Sequence, residues 1–214
     1  MQSLLEEYRK RQAGKQKKTP AVVLFTTGSM NPVHSGHTRM LQLAARHFAG
    51  RNQEVLGCLL SPSDAGWSMG KPFGHLSNEC KLELCKLVET DQIGVDNWEI
   101  SQDTLMDFPD VRDYLMQCVA DYPMISVYYV CGADHAAKCG LYQVSWCVIV
   151  GRSNLERPVQ CKAICLDSSE CHDGSSTAIR EAIVQNNNPA LVRHMLHEAV
   201  YHRLVESGPQ LFQK

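Results

Sequence analysis

Residues 21 to 27, AVVLFTT, are apolar or β-branched at every position, lying between Pro20 and Gly28. Apolar and polar positions do not alternate, so this strand expects cover on both faces, and strands of that kind belong to parallel sheets flanked by helices. The runs VLGCLL (55–60), ISVYYVC (125–131), WCVIVG (146–151) and KAICL (162–166) read as further strands. Between them lie segments of helical period. HTRMLQLAARHFA places Met40, Leu41, Ala44, Ala45 and Phe48 on one face before Gly50, and Ser77 is an N-cap for a helix to about Thr90 with Leu84, Leu87 and Val88 inward. Further helices are expected over 109–122, 177–186 and 189–205. The fold class that follows is α/β, a Rossmann-like parallel sheet with helices on both faces.

The 214 residues suffice for one substantial core, which predicts a single domain over 21–214 behind a charged extension, 1–20. Leu4, Leu5 and Tyr8 give that extension a helical apolar stripe, and Lys15 to Lys18 read as a solvated charge run. With 21 basic and 23 acidic residues the chain has no field to recruit nucleic acid or a membrane, and no apolar run approaches the ~18 residues of a membrane span. A cytoplasmic or nuclear location is the expectation. Ten cysteines, scattered mostly through apolar runs, read as reduced core thiols. Cys161, Cys165, Cys171 and His172 could supply four zinc ligands, but they lack the tight Cys-x-x-Cys turns of structural zinc sites, and no protein-held metal is expected.

In open parallel sheets ligands sit beyond the carboxyl ends of the strands, which directs attention to GSMNPVHSGH, residues 28–37. Gly28 and Ser29 let a ligand approach the backbone, and Asn31-Pro32 turns the chain. A helix beginning near Ser35 puts His34 and His37 beside free N–H groups at its positive end, a set of donors suited to polyphosphate. No dinucleotide glycine fingerprint follows the first strand, and GWSMGK (66–71) is one residue short of a P-loop and is followed by proline. Far downstream, SSTAIR (175–180) supplies hydroxyls at Ser175, Ser176 and Thr177 and a cation, Arg180, one turn into a helix.

GSMNPVHSGH resembles the Gly-x-Phe-Asn-Pro-x-His-x-Gly-His motif of the nucleotidyltransferase superfamily, and GSSTAIR resembles its Ile-Ser-Ser-Thr-x-Ile-Arg motif. The resemblance covers roughly residues 21–205. It implies transfer of a nucleotidyl group from a triphosphate to a phosphate, by direct in-line attack, with pyrophosphate released and Mg2+ arriving with ATP. Between the two motifs, LSPSDAGWSMGK (60–71), VDNWEI (95–100), VYYVCGADHAA (127–137) and VIVGRSN (148–154) are similar to elements of the nicotinamide or nicotinate mononucleotide adenylyltransferases.

That resemblance implies an ATP site of Gly28, Ser29, Met30, His34, His37, Gly132, Asp134, Ser175, Ser176, Thr177 and Arg180. It implies a mononucleotide site of Asn31, Trp67, Lys71, Trp98, Glu99 and Tyr142, with Trp98 stacking on the pyridine. His34, His37, Lys71 and Arg180 would carry catalysis. Three departures stand out: Met30 replaces the usual Phe, Gly174 replaces a branched apolar residue, and the connection from Asp134 to Val148 is short, leaving Tyr142 as the nearest match to a second aromatic. A superfamily member using CTP or another phosphorylated acceptor, and a nucleotide-binding module or chaperone without catalysis, are the alternatives. An aminoacyl-tRNA synthetase shares a similar histidine motif, but this chain lacks the length and basic face. Self-association into a homo-oligomer is neither required nor excluded.

Overall fold

The computed structural model describes residues 1–14, 19–151, 158, 160–167 and 174–213. Six strands, β1 (Ala21–Gly28), β2 (Glu54–Pro62), β3 (Ile93–Val95), β4 (Ile125–Gly132), β5 (Cys147–Gly151) and β6 (Ile164–Asp167), form a parallel sheet in the order β3-β2-β1-β4-β5-β6. The order reverses between β1 and β4, as in doubly wound nucleotide-binding sheets. The helices are α1 (Gln2–Gln12), α2 (Ser35–Ala49), α3 (Asn78–Lys86), α4 (Phe108–Cys118), α5 (Ala133–Cys139), α6 (Ser176–Arg180) and α7 (Glu198–Ser207). Among the described residues no helix is long and apolar enough to cross a membrane.

The chain forms two compact units, the first comprising Met1–Thr26, Met40–Leu59 and Phe108–Ser169, the second Thr27–Arg39, Leu60–Asp107 and Glu170–Lys214. In the first unit Val22 to Phe25 are wholly buried, as the unbroken apolar run requires. Phe25 packs against Tyr129 at 5.2 Å, and Tyr129 stacks on Phe108 at 4.9 Å and 8°. Leu41, Ala44, Ala45 and Phe48 form the inner face of α2. The amino-terminal residues are docked rather than frayed: Leu5 and Tyr8 are buried, the Tyr8 hydroxyl donates to the Thr19 carbonyl at 2.9 Å, and Gly57 leaves the room that Leu4 fills. A Cβ at Gly57 would lie 2.8 Å from Leu4 Cδ1.

The second unit is built on Met30, Val33, Leu76, Leu84, Ile179, Ile183, Val200 and Leu204, all buried. Its last residues are tied back by a two-bond bridge between His75 and Gln213, both bonds 2.8 Å. Gly74 makes this approach feasible: it holds φ +84°, and a Cβ there would meet the Gln213 carbonyl oxygen at 2.5 Å.

Several expectations need correction. Helix α3 ends at Lys86, and Leu87, expected inward, is its C-cap and is 41% exposed, the closing turn following it with the bonds of Val88 and Glu89 to Cys85 and Lys86. The 177–186 helix is one α-turn followed by a π-helical turn, Glu181–Gln185. The 189–205 helix is interrupted: Pro189–Met195 is a 3-10 helix, Leu196 is extended, and α7 starts after His197. β3 has three residues, too few for a periodic signal. The strand expected over 162–166 is β6, which starts at Ile164, so Cys161 lies before it and Cys165 within it.

If α1 is part of the folded unit, Tyr8→Ala should cost about 3 kcal/mol, the scale of removing a buried aromatic ring. Urea denaturation measures it; an unchanged midpoint would mean that α1 contributes nothing to the fold.

Candidate active site

The second unit holds most of the site residues expected from the sequence. Strand β1 ends at Gly28, the chain turns through Asn31-Pro32, whose peptide is cis, and α2 starts at Ser35. The rings of His34 and His37 lie close together, centroids 3.9 Å apart and tilted by 33°. Backbone N–H groups fix both rings: Gly36 N–H donates to His34 Nδ1 at 3.1 Å, and His34 N–H donates to His37 Nδ1 at 3.2 Å. Since each Nδ1 accepts, each neutral ring carries its proton on Nε2 and offers an N–H donor.

Burial, followed by the mutual proximity of the rings and of His197, holds His34 well below the ordinary histidine range. Burial brings His37 to about 4, although its bond from His34 acts in the opposite direction. The pair is therefore neutral at pH 7. His197, which the sequence reading did not single out, is a neighbour of both and shares a 2.8 Å hydrogen bond with Thr38.

Two glycines make room for the His34 ring. A Cβ at Gly36 would lie 2.9 Å from His34 Cε1, and one at Gly174 would lie 2.3 Å from His34 Nδ1. The departure at Gly174 thus has a steric reason: a branched side chain would occupy the place of the imidazole. Met30, the other departure, is buried with φ 38°, its sulfur 3.5 Å from that of Cys85.

Lys71 and Arg180 are the cations of the site. Lys71 Nζ donates to Ser29 Oγ at 2.7 Å, and burial together with the charge of Arg180 lowers its pKa. Arg180 is 1% exposed, and burial lowers its pKa too. Its Nε donates to the Pro72 carbonyl at 3.0 Å, one terminal nitrogen to the Asn31 carbonyl at 2.6 Å, and the other to Thr177 Oγ1 at 3.4 Å. Its partners among the described residues are carbonyls and a hydroxyl, not a carboxylate. Among the described residues, three of its five N–H groups have acceptors.

Some expected ligand contacts have work inside the protein. Ser175 Oγ caps α6 by accepting from Ala178 N–H, and Ser176 donates to the Pro32 carbonyl at 2.9 Å, while Thr177 is exposed. The Asn31 side chain donates to the Gly74 carbonyl at 3.2 Å and accepts from Leu76 N–H at 2.8 Å. Glu99 is buried and accepts hydrogen bonds from Thr27 and Ser61; burial raises its pKa in spite of these hydroxyls. Trp98 is half-buried, and Trp67 is 46% exposed with its indole N–H on the Met106 carbonyl at 2.9 Å.

The loop that presents Trp67 rests on residues the sequence reading missed. Lys81 is wholly buried and donates to the Ser63 carbonyl at 2.9 Å, the Asp64 carbonyl at 3.2 Å and Ser68 Oγ at 3.1 Å. Asp64 Oδ1 accepts from Gly66 N–H at 2.7 Å, and Asn78 Oδ1 accepts from Ala65 N–H at 2.7 Å. Burial brings the Lys81 ammonium down to about 8 even with Asp64 near it. One signal was available: Lys81 precedes Leu84, Cys85 and Val88 at spacings of three, four and seven, on the inward stripe of α3.

Gly132, Asp134 and Tyr142 belong to the first unit. Gly132 ends β4, and Asp134, exposed, lies in the first turn of α5. The short connection after it is a compact turn: α5 ends at Gly140 in the left-handed region (φ 67°), and Leu141–Gln143 form a 3-10 turn. Among the described residues no group of three or more His, Cys, Asp or Glu is arranged to hold a metal ion; Cys171 and His172 lie outside those residues.

A doubly wound sheet carrying neutral imidazole donors and, beyond β1, two cations with no carboxylate partner among the described residues defines a class, the phosphate-handling α/β proteins. The chain belongs to the cytidylyltransferase-like family, whose pattern it matches over residues 25–182. It is similar to the nicotinamide/nicotinic acid mononucleotide adenylyltransferase of Arabidopsis thaliana, 40% identical over 38% of this chain and 34% of that protein. It is also similar to the probable nicotinate-nucleotide adenylyltransferase of Rhodopirellula baltica, 31% identical over 52% of this chain and 49% of that one. The chain thus spans about half or less of the length of these curated relatives. Among solved structures, the nicotinic acid mononucleotide adenylyltransferase of Plasmodium falciparum complexed with NaAD superposes with a TM-score of 0.64 over 87% of this chain and 96% of that one, at 12% identity. At that identity the likeness speaks to the fold.

Two measurements check this geometry. Because His37 titrates near 4 when folded and near 6.5 when unfolded, the unfolded chain binds more protons between those values. Thermal stability should therefore fall as pH drops from above 6.5 toward 4, and His37→Gln should make that fall shallower; an unaltered slope would show that His37 is not buried in its neutral form. Lys81→Met leaves buried acceptors without a donor and should cost about 3 kcal/mol in urea titration, with a blue or red shift of tryptophan emission as the Trp67 loop loosens. Wild-type stability and emission would show that the loop stands without the ammonium.

Proposed function

We propose that the chain is an adenylyltransferase that joins ATP to nicotinamide or nicotinate mononucleotide and releases pyrophosphate. The observation that carries this reading is the set His34 and Arg180, buried, with His37 and Lys71, half-buried, in which two neutral N–H donors and two cations have no carboxylate partner among the described residues. Such a set disfavours a bare metal ion and favours an anion with several oxygens. The names of the Arabidopsis and Rhodopirellula relatives support the choice of substrates.

In this reading the acceptor phosphate attacks the α-phosphorus of ATP in line, its oxygen forming the new P–O bond as the bond to pyrophosphate breaks. The chain supplies no nucleophile. The imidazole Nε2–H groups, at the positive end of α2, receive triphosphate oxygens, a role that needs the rings neutral and oriented. Lys71 and the remaining N–H groups of Arg180 stabilise the charge that develops on the leaving pyrophosphate. Asn31, Ser175, Ser176 and Glu99 act at one remove, by holding the loops that bear these donors. Trp98 and Trp67 are the aromatic surfaces offered to the pyridine. Magnesium, bound by the triphosphate itself, would neutralise part of its charge; the donor set has no carboxylate cage for it, and no residue is assigned to hold it.

Pyrophosphate release in Mg2+ tests the proposal, with ATP or CTP as donor and the two pyridine mononucleotides or other phosphorylated compounds as acceptors. Turnover is expected with ATP and at least one pyridine mononucleotide. Turnover with CTP alone, or with another acceptor alone, would replace the substrate assignment, and binding of ATP without turnover would identify a nucleotide-binding module. His37→Ala should lower kcat by about 100-fold, the scale of losing one oriented transition-state donor. Trp98→Ala should mainly raise the KM of the mononucleotide, and an unchanged KM would place the ring elsewhere.

A further inference from the structure

The first unit carries a pair of thiols that the proposed reaction does not use. Cys161 Sγ and Cys165 Sγ are 3.4 Å apart, and both are half-buried. A disulfide has its sulfurs about 2.05 Å apart, so closure requires an approach of only about 1.4 Å. Both sulfurs already converge on one point, the Ala163 carbonyl, at 3.4 Å from Cys161 and 3.9 Å from Cys165.

The turn between them is held from outside. Lys162 N–H and Ala163 N–H both donate to the Tyr142 carbonyl, at 2.8 and 3.1 Å, and the Gln143 side chain donates to the Gln160 carbonyl at 2.6 Å. These bonds set the backbone in the bend that brings residues four apart together. Four of the other described cysteines are closed off by burial. Cys58, Cys85 and Cys147 are buried and their thiols are pushed up to about 12, and Cys131 is buried and shifted in the same direction. Thiols so reluctant to ionise are poor nucleophiles, whereas no such burial closes off Cys161 and Cys165.

We infer that Cys161 and Cys165 form a modification site, a dithiol that closes reversibly to an intramolecular disulfide in exchange with a low-molecular-weight disulfide. The thiolate of one cysteine attacks a sulfur of the small disulfide, forming a mixed disulfide and expelling one small thiolate. The second cysteine, as thiolate, then attacks the protein sulfur of that mixed bond and expels the other. Two protein thiols lose two electrons and their two protons, the small disulfide gains both, and two small thiols leave. The ring closed in the protein spans only five residues, so its gain in stability is small and the reaction runs back readily with excess thiol.

The test uses the full chain incubated with oxidised glutathione, alkylated and digested, with mass spectrometry of each cysteine. Expected is a linkage joining Cys161 to Cys165 that protects both from alkylation and is lost on treatment with dithiothreitol. The variant Cys165→Ser should retain a glutathione adduct on Cys161, because the thiol that resolves it is gone. Full alkylation of both cysteines after oxidation would overturn the inference, as would linkage of either to a different cysteine. So would equal adduct on Cys161 in wild type and variant. Near-ultraviolet circular dichroism of each variant verifies that it is folded, so a missing adduct cannot be ascribed to misfolding.

Discussion

The guanidinium of Arg180 is the tie on which the candidate site depends. It reaches the Asn31 carbonyl, 149 residues away in the chain, and the Pro72 carbonyl, 108 residues away, and it does so without solvent contact. Asn31 in turn fixes the 74–76 segment through its side chain, and Ser176 fixes Pro32. The histidine turn, the lysine loop and the downstream serine motif are therefore one hydrogen-bonded assembly. A buried cation whose partners among the described residues are all neutral oxygens is costly unless an anion completes it, so the same residue that organises the site also inclines it toward an anion.

Electrostatics and packing act together here. Burial keeps the imidazoles neutral and lowers the pKa of Lys71, so the site holds its positive charge on few atoms. The space for His34 comes from two missing side chains, at Gly36 and Gly174, one from each motif. The downstream motif thus supplies room that the histidine of the first motif needs, a physical link between two segments so far apart in the chain. On the opposite flank, Lys81, Asp64 and Asn78 hold the loop of Trp67 with bonds to backbone, which lets an exposed aromatic keep a defined position.

Much of the fold was legible because its signals are local. AVVLFTT, VLGCLL and ISVYYVC could be read as buried strands from their lack of alternation, and Ser77 as a cap from its type and place. Local signals failed where tertiary contact overrode them. IGV was too short to register, the last helical stretch broke at Leu196 and His197, and Leu87 fell outside the buried stripe. Among site residues, the types of His34, His37, Lys71 and Arg180 spoke for phosphate chemistry; the occupation of Asn31, Ser176 and Glu99 by internal hydrogen bonds did not show in any spacing.

The sequence by itself determined that strands and helices alternate, that the first strand ends in a histidine turn, and that a serine-rich helix start with an arginine stands near the other end. Hydrophobic period and turn chemistry are properties of neighbouring residues, so they can be read along a line. Only the tertiary structure decided which donors are spent and which remain, why residue 174 is glycine, that α1 is docked, and that Lys81 rather than a visible motif residue supports the tryptophan loop. Those outcomes depend on partners brought together by folding, and hydrogen bonding, burial and pKa are properties of that gathering rather than of the order of residues.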